Sequence, residues 1–303
     1  MNNNNITPLI SIVIPTYNHA RYLSRALQSI SDQTFTNWEI IIVDNHSTDN
    51  TNKVISNFMC KNLTHLKINN NGVIAKSRNA GIEVARGIWV AFLDSDDWWT
   101  SNKLQAIFEC IREDVDLIYH DLEIVSNQPR FFVRKKIKSE QVQKPILINL
   151  LLKGNVIGNS SVVVRTSLLH RIGGINESEE MIAAEDYNAW LRIAQLTDGF
   201  KYLPKKLGYY LTHNEGISQK DMSIAGRCAV KEFLPLLDKN QKLSLEANFR
   251  YTKGRFNYSL GDYALARNDL LFTVKHGYII LVIKASLLLL KLLLKNIRGE
   301  GKS

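Results

Sequence analysis

The chain has 303 residues, 45% hydrophobic and 22% charged, an ordinary globular balance that excludes disorder, collagen and coiled-coil arrays for the whole. Its net charge is +9, and segments 130–144 and 275–303, each with six basic residues and one acidic, hold all the excess. Any basic surface is therefore local, suited to nucleic acid or to an anionic membrane. Cys60, Cys110 and Cys228 lie far apart without a CxxC pair, which predicts a reducing compartment and neither a disulfide scaffold nor a cysteine zinc site. Met1 to Asn5 offer no basic or apolar start, so a cleaved signal peptide is not expected.

Three continuous apolar, β-branched runs open the chain: Leu9 to Ile14, Trp38 to Val43 and Ile88 to Leu93. Such runs suit strands buried on both faces of a parallel sheet. Leu23, Ala26, Leu27 and Ile30 follow helical spacing, as do Leu104, Ile107, Phe108 and Ile111. Gly87 reads as the C′ residue of a third helix. The alternation predicts an α/β class with a mostly parallel central sheet flanked by helices. Ligands in such sheets bind beyond the carboxyl ends of the strands. There the chain places Pro15-Thr16-Tyr17-Asn18, then Asp44-Asn45-His46-Ser47-Thr48-Asp49, then Asp94-Ser95-Asp96-Asp97. Past residue 120 the pattern loosens. Residues 126–144 read as a polar, basic loop, Val162 to Val164 as a strand, Ile172-Gly173-Gly174 as a turn, and Tyr187, Trp190, Leu191 and Ala194 as a helix face. Beyond about 222 only helical patterns appear.

The carboxylates carry the chemistry. Asp94, Asp96 and Asp97 repel one another unless a cation or solvent compensates, and Mg²⁺ or Mn²⁺ shares such oxygen ligands with substrate phosphates. The alternative is a solvated turn before a helix near Ser101. Asp44 could accept the N3–H of a uracil ring, while Ser47, Thr48 and Asp49 are also favoured helix caps. No GxGxxG follows these strands, which argues against a dinucleotide site. Arg78, in Arg78-Asn79-Ala80-Gly81 after Asn71-Gly72, suits a diphosphate or a base carbonyl, or is a surface arginine. Asp186, after Glu185, is a general base or a first-turn acid that complements the helix dipole. His213 is a metal ligand or a structural side chain.

Together these pieces, with Gly173-Gly174-Ile175-Asn176 and Glu185 to Arg192, resemble an inverting family 2 glycosyltransferase with the GT-A fold, over residues 8–218. The resemblance implies a GT-A domain over 1–220, a helical extension over 221–303, and a nucleoside-diphosphate sugar, UDP-linked, as donor. It places Pro15, Thr16, Tyr17, Asn18, Asp44, Asn45, Ser47, Arg78, Asp94 and Ser95 around the nucleotide. Asp96 and His213 would hold Mg²⁺ or Mn²⁺, and Asp186 would deprotonate the acceptor hydroxyl. Asn45 stands where an Asp is common, and Asp97 leaves the choice of metal carboxylate open. The acceptor would be a saccharide or a polyprenyl-diphosphate-linked sugar in O-antigen, capsule or similar surface-polysaccharide synthesis, with a hexosyl or N-acetylhexosaminyl group transferred. A non-catalytic carbohydrate-binding scaffold, an aspartate-nucleophile phosphotransferase and a nucleic-acid binder are the alternatives. The basic segments lack interleaved aromatics apart from Phe131 and Phe132, against nucleic acid. Lys284, Lys291, Lys295 and Arg298 fall within an arc of about 60° on an otherwise apolar helix. That pattern predicts a tail lying in the inner membrane interface of a cytoplasmic protein, or alternatively a core helix.

Overall fold

The computed structural model describes residues 7–58, 60, 62–126, 136–137, 139–212 and 221–297. They form two compact units: one of segments up to 142 with 156–179 and 192–215, the other of 143–155, 180–191 and 216 onward. The first unit begins β1 (Ile10–Thr16), α1 (Ala20–Ser31), β2 (Trp38–Asp44), α2 (Thr51–Asn57), β3 (Leu63–Lys67), α3 (Ile74–Glu83) and β4 (Trp89–Phe92). It continues through β5 (Trp98–Trp99), α4 (Lys103–Phe108), β6 (Leu117–Ser126) and β7 (Lys136–Ile137). After the second unit's α5 (Ile146–Lys153) come β8 (Val163–Arg165) and α6 (Thr166–Arg171). Then α7 (Glu185–Ala194) runs from one unit's segment into the other's, and β9 (Phe200–Thr212) follows.

One mixed sheet runs β3-β2-β1-β4-β8-β6-β9-β5, with β7 on β6. The first four strands are parallel; β8 is antiparallel to both β4 and β6, and β9 is parallel to β6. The three apolar runs are β1, β2 and β4, and they are continuous because both faces are covered. Ile10, Ile12, Ile14, Ile40, Ile42, Trp89 and Ala91 share one core with Leu23, Leu27 and Ile30 of α1 and Leu104 and Ile107 of α4. Each such buried side chain contributes about 1.5–3 kcal/mol. Val13 faces α3, whose Gly81 comes so close that a Cβ there would lie 2.5 Å from Val13 Cγ1.

Two expectations change. Gly87 is not a helix C′ residue, because α3 ends at Glu83 with Val84 as its cap. Gly87 is required instead by close approach: a Cβ would lie 2.6 Å from the Ser11 backbone nitrogen, and its N–H donates to Ser11 Oγ at 2.8 Å. Within the supposed loop 126–144, Lys136–Ile137 form a strand against β6, since extended backbone beside β6 satisfies its hydrogen bonds there; residues 127–135 and 138 lie outside the described residues.

The second unit is helical. Beside α5 and the start of α7 it holds α8 (Met222–Val230), α9 (Lys239–Leu260), α10 (Tyr263–His276) and α11 (Ile279–Ile297). Helix α9 starts with a reciprocal cap, Asp238 accepting the Gln241 N–H and Gln241 accepting the Asp238 N–H, and ends at left-handed Gly261. Ala285 and Leu292 of α11 pack on Ala266 and Leu270 of α10. The opposite face leaves Ile279, Ile283, Leu287, Leu290 and Leu294 exposed. Helix α11 is therefore partly core and partly an uncovered apolar face. No helix among the described residues is long and apolar enough to cross a membrane.

Candidate active site

The carboxyl ends of β1, β2 and β4 meet at one edge, where strand order turns from β2-β1 to β4, the position at which such sheets bind ligands. Register sets Thr16 opposite Asp44, and the Leu93 N–H donates to the Val13 carbonyl at 3.1 Å. The loop after β4 is held by the rest of the site. Asp94 Oδ1 accepts from Arg78 Nη2 at 2.8 Å and from Asn159 Nδ2 at 3.0 Å. Its backbone N–H donates to Ser160 Oγ at 3.1 Å. Ser95 Oγ pairs with His19 Nδ1 at 2.8 Å, and Arg25 Nη2 donates to the Asp96 carbonyl at 3.1 Å. Arg25 also lies 3.4 Å over the Trp98 ring, which stacks on Tyr209.

Asp96 is half-buried, whereas Asp97 is buried and accepts the Leu211 N–H at 3.0 Å. Burial, with Asp96 and Asp94 alongside, pushes the Asp97 carboxyl well above the usual carboxylate range. Burial holds the Lys103 ammonium well below its ordinary value; Lys103 sits 3.3 Å over the Trp99 ring. Burial, then the charge of Lys103, brings His120 down to about 3.

Asp44 is fully buried. Its Oδ1 accepts from Ser47 N at 3.0 Å and Ser47 Oγ at 2.5 Å, while Oδ2 has no hydrogen-bond partner. Thr16 Oγ1, across the register, is equally unpartnered. Two orphaned buried groups fit a ligand bearing donors, though a covering side chain must move to admit it. His65 Nε2 stands 3.9 Å from Asp44 Oδ2; burial lowers its pKa, with Asp44 opposing.

Several expected nucleotide residues brace the loops. Asn18, in a left-handed conformation, donates its N–H to Ser47 Oγ and accepts the Thr48 N–H, both at 2.8 Å. Asn45 Oδ1 accepts the Asn70 N–H at 2.8 Å. Asp49 caps two helices, taking the N–H of Ala20 at 3.0 Å and of Thr51 at 2.9 Å. Pro15 is buried in β1 opposite Val43. Tyr17 is 54% exposed.

In the second unit, half-buried Asp186 lies in the first turn of α7 and accepts its neighbour Tyr187 N–H at 2.6 Å and Asn155 Nδ2 at 3.3 Å. Tyr187 donates to the Leu150 carbonyl at 2.9 Å, and Asn188 to the Ala229 carbonyl at 2.9 Å. Ala183, just before this helix, is held at φ 75, a strained conformation for a residue with a Cβ. His213 lies outside the described residues.

A family model described as Glycosyl transferase family 2 matches residues 11–172. The chain belongs to glycosyl transferase family 2. This glycosyltransferase is 33% identical over 186 residues, 61% of its length and 69% of the relative's, to the UDP-Glc:alpha-D-GlcNAc-diphosphoundecaprenol beta-1,3-glucosyltransferase WfgD of Escherichia coli. It is 37% identical over 36% of its length and 44% of the relative's to the putative teichuronic acid biosynthesis glycosyltransferase TuaG of Bacillus subtilis. Its fold is that of S. aureus TarS 1–349 in complex with UDP-GlcNAc, with TM-score 0.61 and 22% identity over 88% of this chain and 84% of that one. It likewise matches a Pyrobaculum calidifontis mannosyltransferase in complex with GDP-Man and Mn²⁺, with TM-score 0.61 and 18% identity over 98% of this chain and 84% of that one.

Sequence reasoning about the glycosyltransferase missed His19, Arg25, Asn159 and Ser160. The signal for the last two was the polar Gly158 to Ser161 stretch abutting Val162 to Val164. Because β8 is antiparallel to β4, that stretch starts at the edge where β4 ends.

Proposed function

We propose that the glycosyltransferase is an inverting, metal-dependent enzyme that transfers a hexosyl or N-acetylhexosaminyl group from a UDP-sugar to a hydroxyl of a lipid-linked or saccharide acceptor in surface-polysaccharide synthesis. The observation that carries this reading is the anchored loop Asp94 to Asp97 at the β1–β4 edge, with Asp94 fixed by Arg78 and Asn159. With Asp94 Oδ1 committed to those two donors, Oδ2 remains for a ribose hydroxyl. Thr16, Tyr17 and Asp44 form the base end. The domains would divide as catalytic 1–220 and helical extension 221–303.

The donor set suits Mg²⁺ or Mn²⁺. Among the described residues no three His, Cys, Asp or Glu side chains converge, and Mg²⁺ is often held by one or two carboxylates with phosphates and water completing the shell. Asp96, with His213, would hold the ion; buried Asp97 would not. A bound ion would supply Lewis acidity to the departing diphosphate. Asp186 would take the proton of the attacking acceptor hydroxyl, and a single displacement inverts the anomeric centre. The Escherichia coli relative's name, with its diphosphoundecaprenol acceptor, supports a lipid-linked acceptor.

The uncovered face of α11 supports peripheral docking on an anionic membrane from the cytoplasmic side. At about 100° per residue, exposed Lys284 and Lys291 line one margin of the apolar stripe Ile279, Ile283, Leu287, Leu290 and Leu294. Apolar residues would enter the acyl boundary and the lysines meet headgroups. Lys295 is partly withdrawn, donating to Tyr263 OH at 2.9 Å.

The test is a panel of nucleotide sugars with and without Mn²⁺, read as protection against thermal unfolding. A UDP-sugar should raise the midpoint, more so with Mn²⁺, and less so in Asp96→Ala. No shift with any UDP-sugar refutes the donor; an equal shift in Asp96→Ala refutes the metal role.

A further inference from the structure

Asp97 is costly where it stands. A buried carboxylate beside two others gains nothing for folding by its charge, and its Oδ2 has no hydrogen-bond partner. What its geometry does provide is a link between two segments 114 residues apart, since Oδ1 accepts the Leu211 N–H at 3.0 Å. Leu211 lies one residue before the end of β9 at Thr212.

Ser160 makes the second link. Its Oγ accepts the Asp94 N–H at 3.1 Å, which ties the Asp94 end of the loop to the segment before β8. The Ser160 carbonyl is itself pinned, accepting Trp99 Nε1–H at 2.8 Å and lying 3.5 Å from Lys103 Nζ. The Asp97 N–H closes the turn onto the Asp94 carbonyl at 3.0 Å. Asp96 thus lies between Asp94, whose N–H is held by Ser160, and Asp97, whose carboxyl holds Leu211. A one-atom slip at either end would move its carboxylate.

We propose that Asp97 and Ser160 are positioning residues: a buried strut that sets where Asp96 points and ties that loop to the end of β9. The strut reading rests on Asp96 being the residue that holds the metal. It makes Asp97 an anchor through its oxygen as a hydrogen-bond acceptor, not a metal ligand. An amide oxygen at that position can still take the Leu211 N–H, whereas a methyl group cannot.

The experiment is calorimetric titration of UDP into the full chain with and without Mn²⁺, read as the gain in UDP affinity that Mn²⁺ confers. Ser160→Ala and Asp97→Ala should each cut that gain by about tenfold, the effect of losing one buried hydrogen bond, while in Asp97→Ala metal-free UDP affinity changes by less than about threefold. The conservative Asp97→Asn and Ser160→Thr should restore most of the gain. If Asp97→Asn loses as much as Asp97→Ala, the carboxylate is itself a ligand and the strut is overturned. A full gain in Ser160→Ala overturns it too. Should Asp97→Ala fail to fold, Asp97→Asn and Ser160→Ala still decide. If Asp96→Ala keeps the whole gain, or the wild type shows none, the metal reading of Asp96 fails and the strut with it. If Asp96→Ala loses the gain and Ser160→Ala does not, the strut alone fails.

Discussion

Tyr17→Ala separates nucleotide binding from folding more cleanly than any other change at the site. Tyr17 follows β1 directly and is 54% exposed, so its removal should move the unfolding midpoint little, as for most surface substitutions. A tyrosine presents about 150–250 Å² in all, so about half of that is open to a ligand here. A base stacked on one ring face would cover about 50 Å², or about 1.3 kcal/mol at 25 cal/mol/Å². Alanine replacement of aromatic stacking partners costs about 1–3 kcal/mol per base, so UDP affinity should fall about tenfold. Tyr17→Phe keeps the ring and should stay within about twofold of the wild type. The assay is calorimetric titration of UDP into the wild type and both variants at one Mn²⁺ concentration. UDP affinity unchanged in Tyr17→Ala would refute the placement of the base against this ring.

Three other outcomes follow from the geometry. Asp186→Asn keeps an acceptor for the Tyr187 N–H and removes basicity; UDP binding should persist while transfer drops about 10²–10⁴-fold, and normal transfer would leave Asp186 a helix-turn residue only. His120 titrates near 6.5 when unfolded and at about 3 when folded, so its contribution is complete above pH 6.5 and is lost as pH falls towards 3. Between pH 7.5 and 5 the wild type should therefore lose about 2 kcal/mol more stability than His120→Asn, at about 1.4 kcal/mol per pH unit; equal losses in urea unfolding would contradict it. Replacing Ile283, Leu287 and Leu290 with serine leaves the packed Ala285 and Leu292 in place, unlike deletion of the tail, which would uncover Ala266 and Leu270. At about 1.5–3 kcal/mol per fully buried side chain, binding to anionic vesicles should fall by well over tenfold, and unchanged co-sedimentation would remove the membrane role.

Two-sided burial is what local sequence records. Strands β1, β2 and β4 announce themselves because helices cover both faces, and a polar cluster after each then has to gather at one edge. Strand β3 carries Thr64 and Lys67, and β9 carries Lys201, Lys205 and Lys206; their exposed positions erase the apolar signal that marks the inner strands. The carboxylates of the candidate site were visible for the same topological reason. Asn159 and Ser160 were not, because their meaning comes from an antiparallel pairing between β4 and β8 across some 70 residues of chain, and no local pattern records which strand a segment will join. The same reason explains Gly87, whose bare Cα answers to Ser11 in the neighbouring strand and not to the helix it follows. Local periodicity reports what a residue buries, and long-range pairing decides what it touches. Residues that bear charge towards a ligand could be named from pattern, while the neutral residues that aim them required the fold.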